Sequence, residues 1–156
     1  MPTTACPFTW YDKGIKHIKP EIFLSEDIKV ALIATGYTPN AATHEYFDVS
    51  ITNELGTANG YTAGGLSLTT KTLVESPAGT WTFSSDNPSW SVVTANLVAK
   101  MFVLYNNTPS SSKPLLAYGY LDWNSGTPNS VTTTPSNILN ILLPVNGWFT
   151  SIKVNG

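Results

Sequence analysis

Two histidines, one cysteine and ten carboxylates are the residues of this chain whose side chains could do chemistry. His17 and His44 have no second histidine, cysteine or carboxylate at the spacing of a known metal motif. His44 stands directly before Glu45, so on a strand these two side chains would point to opposite faces. We therefore expect both histidines to serve as surface or hydrogen-bonding residues, and we predict no metal site.

Nucleophilic catalysis also finds no support in the residue pattern. No serine lies in a Gly-x-Ser-x-Gly elbow, and Ser67 stands at the start of a predicted strand. Cys6 has no second cysteine for an intrachain disulfide and is expected to be an inert thiol. A glycosidase pair such as Asp48 with Asp122 would require the fold to bring two distant carboxylates together. We predict a protein that is not an enzyme, without catalytic or cofactor-binding residues.

The glycine-rich segment Gly60–Gly65 (GYTAGG) is a poor match to a phosphate-binding loop. No lysine follows in the register of a P-loop, and no helical pattern follows either. These glycines are expected to supply positive φ angles in a tight loop. The aspartates and asparagines of other loops show no EF-hand spacing, so no calcium site is predicted.

The charge of the chain excludes several partner classes. Charged residues make up only 12% of the sequence, the net charge is −2, and arginine is absent. A phosphate-binding face needs several basic side chains acting together, so we expect no direct contact with nucleic acid. No apolar run approaches the length of a membrane span, and no secretory leader precedes Phe8, so we expect synthesis in the cytoplasm without a membrane partner.

The aromatic content is high, with five tryptophans and seven tyrosines in 156 residues. Exposed aromatic side chains on a β-sandwich can stack on sugars, which makes a carbohydrate-binding or host-attachment module one alternative. The other reading is that Trp81, Trp90, Trp123 and Trp148 fill the core and its ends. We favour the second reading because each of these tryptophans lies in a strand pattern.

Threonine, serine, asparagine, glycine and 11 prolines dominate the polar composition, which is typical of an all-β chain with many turns. Gly14 and Pro20 argue against a long helix near the start, and Thr43 could cap one helical turn over Glu45–Asp48. Eight strands are predicted, or nine with a weak strand at Ser130–Thr134: the eight are Lys29–Thr35, Leu66–Glu75, Thr80–Ser84, Trp90–Val93, Asn96–Tyr105, Pro114–Trp123, Ile138–Leu143 and Trp148–Val154.

Two of these strands should lie at the centre of the fold. Lys29–Thr35 is apolar on both faces. Asn96–Tyr105 is the most apolar strand, and an eight-residue connection should join it to Pro114–Trp123 as a hairpin. In regular alternation, one face of Asn96–Tyr105 would carry Leu97, Ala99, Met101, Val103 and Tyr105, and the other Val98, Phe102 and Leu104.

These elements predict an all-β fold: a single-domain antiparallel β-sandwich, jelly-roll-like, over residues 12–156. Residues 1–11 are small, polar and interrupted by Pro2 and Pro7 before an aromatic stretch. They are expected to form an extended N-terminal arm.

Seven segments between Phe8 and Trp123 together form a distinctive pattern: Asp27–Leu32 (DIKVAL), Tyr37–Pro39 (YTP), Thr43–Asp48 (THEYFD), Asn53–Glu54, Gly60–Gly65, Phe102–Tyr105 (FVLY) and Pro114–Tyr118 (PLLAY). In these segments the chain resembles a family of small virion structural proteins of tailed bacteriophages. Members of this group are commonly head-decoration, cement or other minor structural components.

The resemblance implies a capsid cement or decoration protein that binds the major capsid protein on the exterior of the virion, as a homotrimer. It brings no catalytic residues. The arm Met1–Tyr11 and the loop Asn124–Asn137 are the candidate interfaces. Two alternatives stay open: a tail or adaptor component of the same virion, and the carbohydrate-binding module.

Overall fold

The computed structural model of the protein describes residues 8–17, 19–76, 78, 80–124, 126–145 and 147–152. It confirms an all-β, sandwich-like single domain with antiparallel sheets. The helical elements are a 3₁₀ turn (Gly14–His17), α1 (Pro20–Ser25) and α2 (Phe47–Ser50). The strands are β1 Phe8–Trp10, β2 Ile28–Ile33, β3 Leu66–Ser67, β4 Thr72–Glu75, β5 Thr80–Ser84, β6 Ser89–Ser91, β7 Leu97–Ala99, β8 Met101–Asn106, β9 Leu115–Tyr120, β10 Asp122–Asn124, β11 Thr127–Asn129, β12 Val131–Thr133, β13 Ile138–Asn140 and β14 Phe149–Ile152.

A five-stranded sheet with the order β1-β9-β8-β2-β3 forms the centre of the molecule. Strand β8 pairs with β2 on one side, with Val30 opposite Leu104, and with β9 on the other. All six residues of β8 are buried, and so are five of the six residues of β2. This confirms the predicted central position of Lys29–Thr35, although the strand itself covers Ile28–Ile33.

One face of the five-stranded sheet packs against a second layer. That layer contains a three-stranded sheet, β14-β5-β4, and the two-stranded ribbons β12-β7 and β13-β6. The described strands therefore form one large sheet, one small sheet and three ribbons, the third being β10-β11, instead of the two four-stranded sheets of a regular jelly roll. The core between the layers includes Leu32, Phe102, Phe83, Trp90 and Trp148.

The opposite face of the central sheet is covered by a segment with almost no strand structure, residues 34–53. Tyr37, Phe47 and Ile51 from this segment pack with Ala31, Met101 and Val103 of the sheet. The ring of Phe47 stacks on Tyr105 with a centroid distance of 3.9 Å. The central sheet is thus buried on both faces, which explains why its strands are apolar on both.

The predicted strand Asn96–Tyr105 is interrupted at Lys100, and its predicted facing is wrong as a result. The backbone N–H of Lys100 donates to the carbonyl of Ile33, and its carbonyl accepts from Leu121, so Lys100 leaves the β7 ladder. Leu97 and Ala99 consequently pack in the same core as Phe102 and Leu104. Met101, Val103 and Tyr105 face the other side of the sheet.

The predicted strand Leu66–Glu75 is likewise divided into β3 and β4. Thr70 lies between them with φ of +48°, a left-handed conformation that a β-branched residue rarely adopts. The hydroxyl of Thr70 donates to the Asp86 carboxylate at 2.6 Å. That hydrogen bond holds the kink at which the chain passes from the large sheet to the small one.

The hairpin of β8 and β9 is confirmed, since residues 107–114 form its eight-residue connection. The helical turn begins later than predicted, at Phe47 with Tyr46 as its N-cap, and Thr43 does not cap it. The reason is tertiary: Leu115 donates to the Glu45 carbonyl and Tyr46 bridges to Pro114. These contacts keep the chain extended up to Tyr46.

The predicted boundary of the N-terminal arm is also corrected. Phe8–Trp10 forms β1, which pairs with β9, and the Tyr11 side chain is fully buried. Trp10 contacts Phe149 edge to face, with ring centroids 4.7 Å apart. The domain therefore includes Phe8–Tyr11, whereas Met1–Pro7 lie outside the described residues.

Gly65 provides a direct test of the packing between loop and sheet. Its φ is +73°, and a Cβ there would lie 2.0 Å from the carbonyl oxygen of Val30. Gly126 has φ of +86° with nothing within 4 Å of its Cβ position. We expect Gly65→Ala to lower the free energy of unfolding by about 3 kcal/mol and Gly126→Ala by about 1 kcal/mol.

Urea denaturation of both variants measures the difference. In Gly126→Ala, the loss in free energy of unfolding comes only from placing alanine in a left-handed conformation. The additional loss in Gly65→Ala therefore measures the clash with β2. Equal losses in the two variants would contradict close contact between this loop and the central sheet.

Candidate interaction surface

His44 belongs to a hydrogen-bonded chain that reaches into the core. Its Nδ1 atom lies 2.7 Å from the Tyr37 hydroxyl, which lies 2.9 Å from the Tyr11 hydroxyl. The backbone N–H of Asn40 also donates to Nδ1, so Nδ1 is the acceptor, Tyr37 donates to it, and Tyr11 donates to Tyr37. Burial raises the pKa of both tyrosines, which keeps them as neutral donors. This arrangement confirms a hydrogen-bonding role for His44.

Glu45 binds three basic side chains that lie close to one another in the sequence but far from Glu45. Lys16 donates to Oε1, the Lys13 Nζ atom lies 3.1 Å from Oε2, and the His17 Nε2 atom lies 3.5 Å from Oε1. The hydrogen bonds from Lys16 and Lys13 lower the pKa of Glu45 to about 2. Sequence analysis missed this cluster, because His17 and Glu45 are far apart in the chain and meet only through the fold.

Asp48 and Asp122 are not brought together, so the glycosidase pairing is not formed. The Asp48 carboxylate accepts the backbone N–H groups of Ser112 and Lys113, just before β9 begins. Asp122 follows the end of β9, and this six-residue strand is about 20 Å long. Paired glycosidase carboxylates lie within about 10 Å of each other.

The Gly60–Gly65 loop is a structural element, and its predicted positive φ angles are confirmed at Gly60, Gly64 and Gly65. The Tyr61 hydroxyl donates to the Glu54 carboxylate at 2.7 Å and accepts the N–H of Leu32. The Glu54 carboxylate also accepts the N–H of Gly64. These bonds fasten the loop to the central sheet and leave no cradle for a phosphate.

Within the described residues, no group of three or more His, Cys, Asp or Glu side chains is arranged to hold a metal ion. None of the helices in that part of the chain is long and apolar enough to cross a membrane. Cys6 lies outside the described residues.

The tryptophans divide into two classes. Trp90 and Trp148 are buried in the core, as expected. The expectation is wrong for Trp81 and Trp123, whose exposed fractions are 37% and 49%. Trp123 lies on the β10-β11 ribbon, opposite Pro128 and 5.2 Å from the Tyr120 ring. Because this ribbon pairs with no other strand, alternation along it does not direct Trp123 into the core.

One end of the sandwich carries no charge. Its surface is formed by β6, β7, β12 and β13, and we call it the uncharged end. Neither residues 87–99 nor residues 123–152 contain an aspartate, glutamate, lysine, arginine or histidine. Three shallow grooves lie here, and their linings are uncharged as well.

Large apolar side chains are exposed at this end. Val93, Val98 and Ile138 are each about half exposed. Ile138 lines two of the grooves, one of them together with Val93. Much of the predicted interface loop Asn124–Asn137 lies here, in β12 and the turn that follows it. The molecule thus presents a neutral, partly apolar surface at this end.

No protein-family model, curated protein or solved structure matches this chain.

The Glu45 cluster predicts a pH dependence of stability. The folded-state pKa is depressed to about 2 from its ordinary 4.5, so the stabilisation is complete above pH 4.5 and is lost as the pH falls toward 2. We expect Glu45→Gln to be less stable than the wild type at neutral pH, with the difference disappearing near pH 2. Urea denaturation at several pH values measures it.

Glu21→Gln, at an exposed glutamate on α1, is the matched control. A loss in Glu45→Gln that stays constant across the pH range would show that the charge of Glu45 does not carry the interaction.

Proposed function

We propose that this protein is a non-enzymatic structural component of a tailed-bacteriophage virion, a capsid cement or decoration protein that binds and stabilises the major capsid shell. The observation that carries the proposal is the uncharged end, a surface suited to contact between proteins because little ion desolvation opposes it.

The position of the resembling segments in the fold supports the same proposal. Asp27–Leu32 and Phe102–Tyr105 lie in β2 and β8, Thr43–Asp48 lies in the cover over the sheet, and Gly60–Gly65 is fastened to β2. All of these are parts of the framework. A family that shares such a framework can vary its exposed surfaces with its partners.

In this proposal the protein is made in the host cytoplasm and joins the exterior of the capsid as a homotrimer. Its partners are the major capsid protein and its own copies, not nucleic acid or membrane. Preference for the assembled shell over free subunits stabilises that shell by mass action. The Asn124–Asn137 loop and residues 1–7 are the segments proposed to reach neighbouring subunits.

The copy number per virion tests this function. Quantitative mass spectrometry of purified particles should give a ratio to the major capsid protein near one, or another large fraction set by icosahedral sites. Symmetry fixes this expectation, because a cement protein occupies every equivalent position. Particles that lack the protein should also lose DNA or subunits at a lower temperature.

A count of about a dozen copies or fewer per particle would overturn the cement role and favour a tail or adaptor component, which forms a ring at one vertex. Absence from purified virions would contradict both roles.

Trp123 favours a second candidate, the carbohydrate-binding or host-attachment module. Its half-exposed indole lies beside the Tyr120 ring, with the ring centroids 5.2 Å apart, on a ribbon that pairs with no other described strand. Exposed aromatic faces of this kind can stack on a sugar ring.

For this candidate, Trp123→Ala should weaken binding of the isolated protein to a host surface glycan at least about tenfold, equivalent to about 1.4 kcal/mol. Trp81→Ala, at the other exposed tryptophan, should leave the affinity unchanged. Glycan-array screening followed by calorimetry measures both. If the wild-type protein binds no glycan, the module is excluded.

A further inference from the structure

The exposed apolar side chains of the uncharged end form one continuous surface. Val98 lies on β7 directly opposite Thr132 of β12. Thr132 and Ile138 line one groove, and Ile138 and Val93 line the next. A path of adjacent, uncharged residues therefore runs from β7 across β12 to β13 and the turn after β6.

This surface is held firmly by backbone hydrogen bonds. Strand β13 pairs with β6, with Leu139 opposite Trp90, and both of these side chains are buried. Beyond the pair, the N–H of Val92 donates to the Asn137 carbonyl and the N–H of Ser136 donates to the Val92 carbonyl, both at 2.9 Å. A surface fixed in this way loses little conformational entropy when a partner binds.

The distribution of charge indicates which kind of partner surface can bind the uncharged end. Every ionisable side chain of the described residues comes from outside residues 87–99 and 123–152. A partner that placed lysines or carboxylates against the uncharged end would bury charges that nothing on this side could neutralise. The complementary surface is therefore neutral and partly apolar.

We propose that the occupant of the uncharged end is a second copy of this chain, which presents its own uncharged end in return. Such a contact buries no unpaired charge, and when it is repeated around a threefold axis it closes the homotrimer of the proposed function. A standard interface takes about 800 Å² from each partner, about a tenth of the 8044 Å² surface of this chain. The contact leaves the charged remainder of each copy in solvent.

The test is the mass of the purified chain in solution. The wild type, at about 100 µM, should scatter light as a particle of three times 16.8 kDa. Val98→Lys places a charge in the contact and should weaken association at least about a hundredfold, giving a monomer at the same concentration.

Val74→Lys is the matched control. Val74 is a strand valine like Val98, with exposed fractions of 54% and 45%, but it lies on β4 outside the uncharged end. This variant should keep the wild-type mass. Thr132→Lys, at the exposed polar position opposite Val98, is the second variant and should also give a monomer. Circular dichroism confirms that each variant is folded.

A monomeric wild type, or a folded Thr132→Lys variant that still associates, would overturn the proposal. If the wild type is monomeric, and Val98→Lys but not Val74→Lys fails to bind capsid shells, the uncharged end is a site for the capsid protein instead.

The inference deepens the self-association in the proposed function, but it is measured without particles. A virion result against the cement role leaves it intact, and a monomeric chain does not alter the virion copy number.

Discussion

The fold depends on the burial of β8 and its neighbours on both faces. An antiparallel strand that is apolar on both sides cannot leave either side in water, so the central sheet needs two covers. The small sheet and the ribbons supply one cover. Residues 34–53 supply the other, although they form almost no regular structure. The position of the remaining elements follows from the requirement that both covers stay closed.

Three carboxylates hold the irregular segments of the chain in place. Glu45 binds the lysines around the 3₁₀ turn, Asp48 accepts two N–H groups from the β8–β9 connection, and Glu54 holds the Gly60–Gly65 loop. Three of the ten carboxylates in the chain thus bind other segments of the same chain. None of these three carboxylates comes from residues 87–99 or 123–152, which contain no charged side chain.

The pattern of apolar residues along the sequence predicted the fold class, the central strand and the β8–β9 hairpin, because these features depend on local sequence. It did not predict the interruption at Lys100, where a hydrogen bond donated to Ile33 and one accepted from Leu121, both remote in sequence, override regular alternation. The Glu45 cluster was missed for the same reason, since its members meet only after folding. The exposure of Trp123 depends on a ribbon without a neighbouring strand, which alternation cannot reveal. The absence of charge around Val98 could be seen in the sequence, but its continuity as a surface could not.

The edge-to-face contact between Trp10 and Phe149 has a consequence for synthesis. Strand β1 pairs with β9, and β14 pairs with β5, so segments from opposite ends of the described chain complete the core together. A nascent chain on the ribosome cannot close this core until Phe149 has emerged from the exit tunnel. Because most of the pairing is between remote segments, folding should be slow. During that interval, the apolar strands of the central sheet are the segments that most need protection from aggregation.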